Sequence, residues 1–295
     1  MPENYDFQSP VDYVPQRVIS LVPSVTESLF DLNLGNRLIA VTDYCNRPEE
    51  GVAKLPRVGG TKNPDLQRII DLKPDLVILN DEENRREDAE KLQAAGAPIW
   101  VTGPRTVQQA IELLWSIMSV FEDASMTDRV RLIEGNAELT EKFQSEYAPV
   151  KVFVPIWRDP WMTINADTYM HDLLRVCGAQ NVFAERERLY PLAADLGTAD
   201  PQPMEGRDTR YPRITLEEVV AAQPELILLP DEPYLFGERD ARELLELDIP
   251  AAINGHVYLV DGSLLSWHGT RLAFALQELP PAISAARGEE GTENL

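Results

Sequence analysis

Three histidines and two cysteines are all that a chain of 295 residues offers as soft metal ligands or nucleophile partners. His171, His256 and His268 poorly supply a bare Zn²⁺ or Mn²⁺ site, which draws on several His or Cys ligands. Cys45 and Cys177 have no C-x-x-C partner, so neither a disulfide framework nor structural zinc is indicated. Both read as buried small side chains, with one disulfide between them left open. There is no G-x-S-x-G, no phosphate-binding G-x-x-x-x-G-K and no Cys/His nucleophile pair. The chemistry on offer is therefore binding rather than catalysis. Tyr44, Trp157, Trp161, Tyr211 and Trp267 are large flat side chains in or beside loops, suited to a macrocycle because they stack and bury much area at little entropic cost. Lys62, Arg158 and Arg271 suit carboxylates through charge-assisted bonds. His268, beside Trp267 in a loop, is the histidine placed to touch a ligand, for instance as an axial ligand to haem iron or cobalt. His171 lies in a helical run and reads as structural.

These residues need a scaffold, and the chain's periodicity describes one. Arg17-Val-Ile-Ser-Leu-Val22 reads as a short buried strand, and Ser24-Val-Thr-Glu27 as a capping box opening a helix that Gly35 closes. Leu38 to Val41 is a second strand, followed by an irregular loop from Thr42 to Pro48. Asn63-Pro64 reads as an N-cap with Pro at the first helical position, for a helix through Leu72. Leu76 to Leu79 is a wholly apolar strand, Arg85 to Ala95 a helix closed by Gly96, and Pro98 to Val101 another strand. Continuous apolar strands alternating with helices imply a parallel sheet covered on both faces.

Val107, Ala110, Ile111, Leu114 and Met118 recur at amphipathic spacing, and beyond a break near Asp123 a second segment, with Met126, Val130, Ile133 and Ala137 in a 4-3-4 pattern, reaches to about Tyr147. A helix of that length spans roughly 30 Å, enough for a stiff rod between lobes. A second lobe starts at Lys151-Val-Phe-Val-Pro-Ile156 and repeats the order of signals in the first. Leu66 to Leu79 overlays Leu216 to Leu229 at a constant offset of 150 without a gap, setting Pro74 on Pro224 and Asp75 on Glu225. The boundaries are an extension over 1–16, a first lobe over 17–104, a helical segment over 105–148, a second lobe over 149–287 and an acidic tail over 288–295. Within the second lobe, the Pro-, Gly-, Asp- and Arg-rich stretch from Ala184 to Arg210 reads as a long loop. The fold class is thus α/β, two Rossmann-like lobes joined by one long helix, with a ligand cleft expected between them.

A net charge of −22 excludes partners that require phosphate neutralisation, nucleic acid above all. No apolar run of the roughly 20 residues needed to span a bilayer occurs. Residues 1–16 lack the basic and apolar regions of an export signal, so the sequence as written reads as cytoplasmic, or as periplasmic or cell-surface if an upstream signal has been removed. Asp81-Glu-Glu83 and Asp231-Glu232 follow the two equivalent strands and read as solvated loops.

Arg17-Val-Ile-Ser-Leu-Val-Pro-Ser-Val-Thr-Glu27, Val58-Gly-Gly-Thr-Lys-Asn-Pro-Asp65 and Asp71-Leu-Lys-Pro-Asp-Leu-Val-Ile78 resemble the class III periplasmic binding proteins, or helical-backbone metal receptors. That family serves importers for cobalamin, ferric siderophores and haem, and the resemblance runs from about Arg17 to Ile283. Ile156-Trp-Arg-Asp-Pro-Trp-Met162, Leu229-Pro-Asp-Glu-Pro-Tyr234 and Leu264-Leu-Ser-Trp-His268 look like a cobalamin-binding subgroup. The resemblance implies a monomeric ABC-transporter solute-binding protein without enzymatic activity, whose ligand brings any metal and which has no intrinsic cofactor. A corrinoid is favoured, then a ferric siderophore, then haem. It places the aromatic set, with Lys62, Arg158 and His268, at the ligand. It also implies one acidic side chain per lobe docking on permease arginines, at positions that correspond here to Gln67 and Glu217. Glu217 matches the pattern. Gln67 departs from it, since an amide cannot make the bidentate pair with Arg, and Asp65 or Asp71 would have to substitute. A cytosolic sensor or storage protein that kept the fold and lost the transporter is the alternative.

Overall fold

The computed structural model describes residues 9–204 and 206–288. The first eight residues, and the acidic tail beyond Gly288, lie outside the described residues. Four parallel strands, β1 (Val18–Ser20), β2 (Leu38–Val41), β3 (Leu76–Asn80) and β4 (Ile99–Thr102), form one sheet in the order β2-β1-β3-β4. Four more, β5 (Val150–Phe153), β6 (Ala179–Asn181), β7 (Leu226–Pro230) and β8 (Val257–Val260), form a second parallel sheet in the order β6-β5-β7-β8. Central β1, β3 and β7 are buried at every position, as strands covered on both faces must be. The margins are less enclosed, with Val101 of β4 and Leu259 of β8 exposed.

The chain divides into two compact units. The first runs to Pro104 and adds Gln108–Glu134 and Trp267–Leu272. The second holds Arg105–Val107, Gly135–Ser266 and the chain from Ala273 on. The partition falls inside the helix Thr127–Gln144. Ile19, Leu21, Val77, Leu79, Ile69 and Leu92 make the core of the first unit. That of the second gathers Phe153, Ile227, Leu229, Val219 and Leu244, with the Phe153 and Phe183 rings edge to face at 5.6 Å.

The repeat at offset 150 holds in the backbone. Asp75 accepts from the Arg17 N–H at 2.8 Å and Glu225 from that of Lys151 at 2.8 Å, so each acid locks the first strand of its unit. The N–H of Val77 donates to Pro98 O and that of Ile227 to His256 O; those of Asp81 and Asp231 donate to Thr102 O and Val260 O.

Local cap signals were less faithful. The helix Pro23–Asp31 starts on Pro23 with no side-chain cap, because Ser24 and Glu27 are engaged elsewhere, and it ends at Leu32 rather than Gly35. Asp65, not Asn63, caps the helix Leu66–Asp71, accepting from the Arg68 N–H at 3.0 Å. The helix Arg86–Ala94 does end before Gly96, whose φ of +84° suits glycine. Val107, Ala110, Ile111, Leu114 and Met118 are all buried on the helix Val107–Val120.

Candidate functional site

The candidate side chains Tyr44 and Trp157 lie on loops that leave the carboxyl ends of parallel strands, where such sheets present ligands. In the first unit, Tyr44 follows β2 and is 61% exposed. Its ring lies over Gly60, where a Cβ would come within 3.2 Å of the ring edge. Lys62 sits two residues on, and its ammonium donates to the Glu82 carbonyl. Asn80 and Asn84 organise the acidic turn after β3. The N–H groups of Glu82 and Glu83 donate to Asn80 Oδ1 at 2.7 and 3.2 Å, and Asn84 Nδ2 donates to Thr61 O at 3.0 Å. The acidic run is thus a structured loop tied to the Lys62 segment.

Trp267, His268 and Arg271 belong to the first unit too and are buried, His268 and Arg271 against the helix Pro23–Asp31. Arg271 forms a two-pronged ion pair with Glu27, Nε to Oε2 at 3.0 Å and Nη2 to Oε1. Burial pushes the Glu27 carboxyl upward while Arg271 pulls it down. His268 Nε2 lies 3.3 Å from Ser24 Oγ and 3.4 Å from Asn80 Nδ2. Complete enclosure drives its pKa down to about 4, keeping the ring neutral. Gly269, at φ +80°, admits the close approach, since a Cβ there would fall 2.2 Å from Ser28 Oγ; the Thr270 N–H donates to that oxygen at 3.1 Å. Ser24, Glu27, Ser28 and Asn80 were not singled out as partners, although a glutamate in an apolar helix and an asparagine ending an apolar strand both signal buried polar contacts.

In the second unit Trp157 is 43% exposed, at the outer end of an aromatic chain. Its ring meets Tyr234 edge-on at 5.7 Å, Tyr234 meets Phe236 at 4.6 Å, and Phe236 stacks on Trp161 at 5.8 Å. Trp161 is buried in the core. Arg158 pairs with Asp240 and Glu243 and lies over the Trp161 ring at 5.1 Å. Burial lowers the Arg158 pKa, and the two carboxylates more than reverse that. Both residues brace the loop that holds Trp157. Isolated bridges Trp157↔Met162 and Met162↔Arg213 bring this loop beside the segment carrying Tyr211.

Gln67 and Glu217 are both exposed, each at the second position of its short helix, Leu66–Asp71 and Leu216–Ala222. Glu217 is held below the ordinary carboxylate range by its own backbone N–H and the Thr215 hydroxyl. Gln67 Nε2 donates to Asp71 Oδ1 at 2.8 Å. Cys45 and Cys177 are buried free thiols; enclosure raises both pKa values, that of Cys177 to about 12. Among the described residues no three His, Cys, Asp or Glu converge to hold a metal, and no helix is long and apolar enough to cross a membrane.

Residues 18–264 match the family described as periplasmic binding protein. The vitamin B12-binding protein of Vibrio parahaemolyticus is 25% identical over 272 residues, covering 90% of this chain and 88% of its own. Among solved structures, the periplasmic vitamin B12 binding protein of Vibrio cholerae superposes with a TM-score of 0.72 at 20% identity, covering 93% of this chain and 99% of the other. The periplasmic heme-binding protein RhuT of Roseiflexus sp. RS-1 gives 0.70 at 21%, covering 92% and 98%. The shared fold is two parallel α/β sheets with their helices.

Proposed function

Because the chain belongs to the periplasmic binding protein family, we propose that it captures a metal-bearing macrocycle or chelate for an ABC importer, a corrinoid first, then a ferric siderophore, then haem. The observation that carries this reading is the exposure of an aromatic side chain on a strand-end loop in each unit, Tyr44 and Trp157. Trp157 is pre-set by the chain of rings behind it, so little side-chain freedom remains to be lost on stacking. Tyr211 and Lys62 complete the ligand-facing set, while Trp161, Arg158, Trp267, Arg271 and His268 hold their loops in place. The lobes of this reading are 17–104 and 149–287, linked through 105–148.

Docking on a permease rests on Glu217 and, in the first unit, on Asp71 beside Gln67. Gln67 is also the observation that favours the second reading, a cytosolic sensor or storage protein. Retention of a vitamin B12-loaded chain by permease-containing vesicles separates the two. The ligand itself is tested by absorbance titration of the purified protein with cobalamin, haemin and ferric siderophores. Saturable one-to-one binding of one of them is expected, and failure of all three refutes the reading.

A further inference from the structure

The helix Thr127–Gln144 has two apolar faces, and the fold covers one of them. Val130, Ile133 and Ala137 are buried, as their 4-3 spacing requires. Leu132, Leu139 and Phe143 are each more than half exposed, and Tyr147, just past the helix end, is exposed as well. At 100° per residue the three helical side chains fall within about 40° of one another and roughly 130° from the buried face, in a stripe about 16 Å long. A solvated helix face is ordinarily polar, so this stripe asks for a cover.

The far end of the stripe is already set for contact. The Phe143 and Tyr147 rings meet at 5.3 Å, the Arg287 guanidinium lies 4.8 Å from the centre of the Tyr147 ring, and Arg287 Nε donates to Ala148 O at 3.1 Å. Rings held in this way lose little freedom when covered. Gly135 lies beside the stripe in the middle of the helix. Glycine weakens a helix interior, yet this chain makes no use of the space it leaves, since a Cβ there would meet nothing within 4 Å. The gap admits a close approach from outside.

Charge indicates what approaches. At −22 per chain, a second copy is repelled over most of the surface. The margins of this stripe are an exception. Exposed Asp128, Arg131, Lys142 and Glu146 line one side and sum to zero. Asn136 and Thr140, without charge, line the other, where Arg129 is tied to Asp31 at 2.9 Å. Glu134, Glu138 and Glu141 stand at least about 120° round the axis from Leu132. Two such helices packed in parallel about a two-fold axis would set Arg131 on Arg131 and Glu146 on Glu146. Packed antiparallel, with the axis near residues 137 and 138, they set Leu132 against Phe143, Asn136 against Leu139 and Arg131 against Glu146 of the second copy, each contact occurring twice.

We propose that the exposed face of the helix Thr127–Gln144 is a self-association surface, on which a second copy of the chain packs its own helix antiparallel. The proposal is independent of the capture reading, and it places a second copy where the family resemblance implies a monomer. One pair of helices is small beside the roughly 1,200–2,000 Å² of stable complexes, so a reversible dimer with a Kd of about 10–100 μM is expected.

The test is sedimentation equilibrium of the full chain from roughly 5 to 500 μM, in about 0.15 M salt to screen distant charges. The average mass should climb towards twice that of the chain. Leu139→Glu and Phe143→Glu should each weaken association at least tenfold, and because both sites are exposed each variant should keep the parent's circular dichroism. R131E should weaken association severalfold, and R131E/E146R should return it to within about twofold of the parent, since the exchange restores both pairs only in the antiparallel register. A chain that stays monomeric over the whole range overturns the proposal and leaves the stripe to a partner of another kind. A dimer untouched by L139E and F143E overturns it too, because association would then use another surface. R131E/E146R no better than R131E refutes the antiparallel docking.

Discussion

Acidifying from pH 7 to pH 5 should cost the protein about 2 kcal/mol through His268 alone. His268 is buried, and its folded pKa falls to about 4 from an ordinary 6.5 because enclosure penalises the imidazolium, with Glu82 countering only in part. Between those values the unfolded chain binds a proton that the folded one refuses. The stability His268 contributes is thus complete above about pH 6.5 and is lost as the pH falls towards 4, reaching about 3 kcal/mol at the limit. Other groups titrate over the same range, so the assay must be differential. Urea midpoints would be measured by circular dichroism for the parent and His268→Gln at pH 7 and pH 5. The amide retains a polar group facing Ser24 and Asn80 and cannot take up the proton. The parent should lose about 2 kcal/mol more than the variant over that interval. A difference under about 0.5 kcal/mol would mean that the ring is protonated in the fold, and the argument for a neutral buried imidazole would fail.

Replacing Arg271 by Met leaves the Glu27 carboxylate buried without its partner, an expected loss of about 3–5 kcal/mol at pH 7 that shrinks at pH 5 as Glu27 protonates; denaturant titration at both values checks it. Gly269→Ala combines a strained positive φ with a clash against Ser28, so a loss of at least about 2 kcal/mol is expected from its thermal midpoint. Trp157→Ala should weaken ligand binding roughly tenfold to a hundredfold by absorbance titration, with the urea midpoint nearly unmoved, because the exposed ring closes an aromatic chain rather than filling the core. Glu217→Gln should leave ligand affinity unchanged and reduce retention by permease vesicles severalfold.

The alternation of apolar strands and helices was readable because strands buried on both faces leave unbroken Val, Ile and Leu runs, as at Leu76–Leu79 and Leu226–Leu229. Leu38–Val41 was found to the residue. Cap positions were not, for a physical reason: Ser24 and Glu27 have the types and spacing of a capping box, yet tertiary partners 244 residues away, His268 and Arg271, take both side chains. Residue type gives the chemistry a side chain can do, and only the fold decides which neighbour receives it. The same limit applies to the candidate site. Tyr44 and Trp157 stand exposed on strand-end loops, whereas Trp161 and Trp267, equally aromatic in the sequence, are buried. Nothing in the Ala184–Arg210 composition announces that Asp195 orders that stretch by accepting the N–H groups of Leu189 and Arg213.

Two units with one strand order and one set of strand-locking acids differ in the loops beyond their strands. Asp75 and Glu225 repeat, as do the bonds after Val77 and Ile227, because they secure the sheets and any departure would cost stability in both units alike. Beyond the strands the correspondence stops: β3 ends in Asn80, which orders an acidic turn, and β7 ends in Pro230, ahead of the Tyr234 and Phe236 rings behind Trp157. The Ala184–Arg210 loop of the second unit and the Trp267–Leu272 segment of the first stand outside the offset of 150. The repeated residues therefore secure the sheets, while the unrepeated ones give each unit its own loop surface. Under the capture reading proposed above, matches along 18–264 follow the sheets, and the choice among corrinoid, siderophore and haem falls to loop residues such as Trp157 and Tyr44.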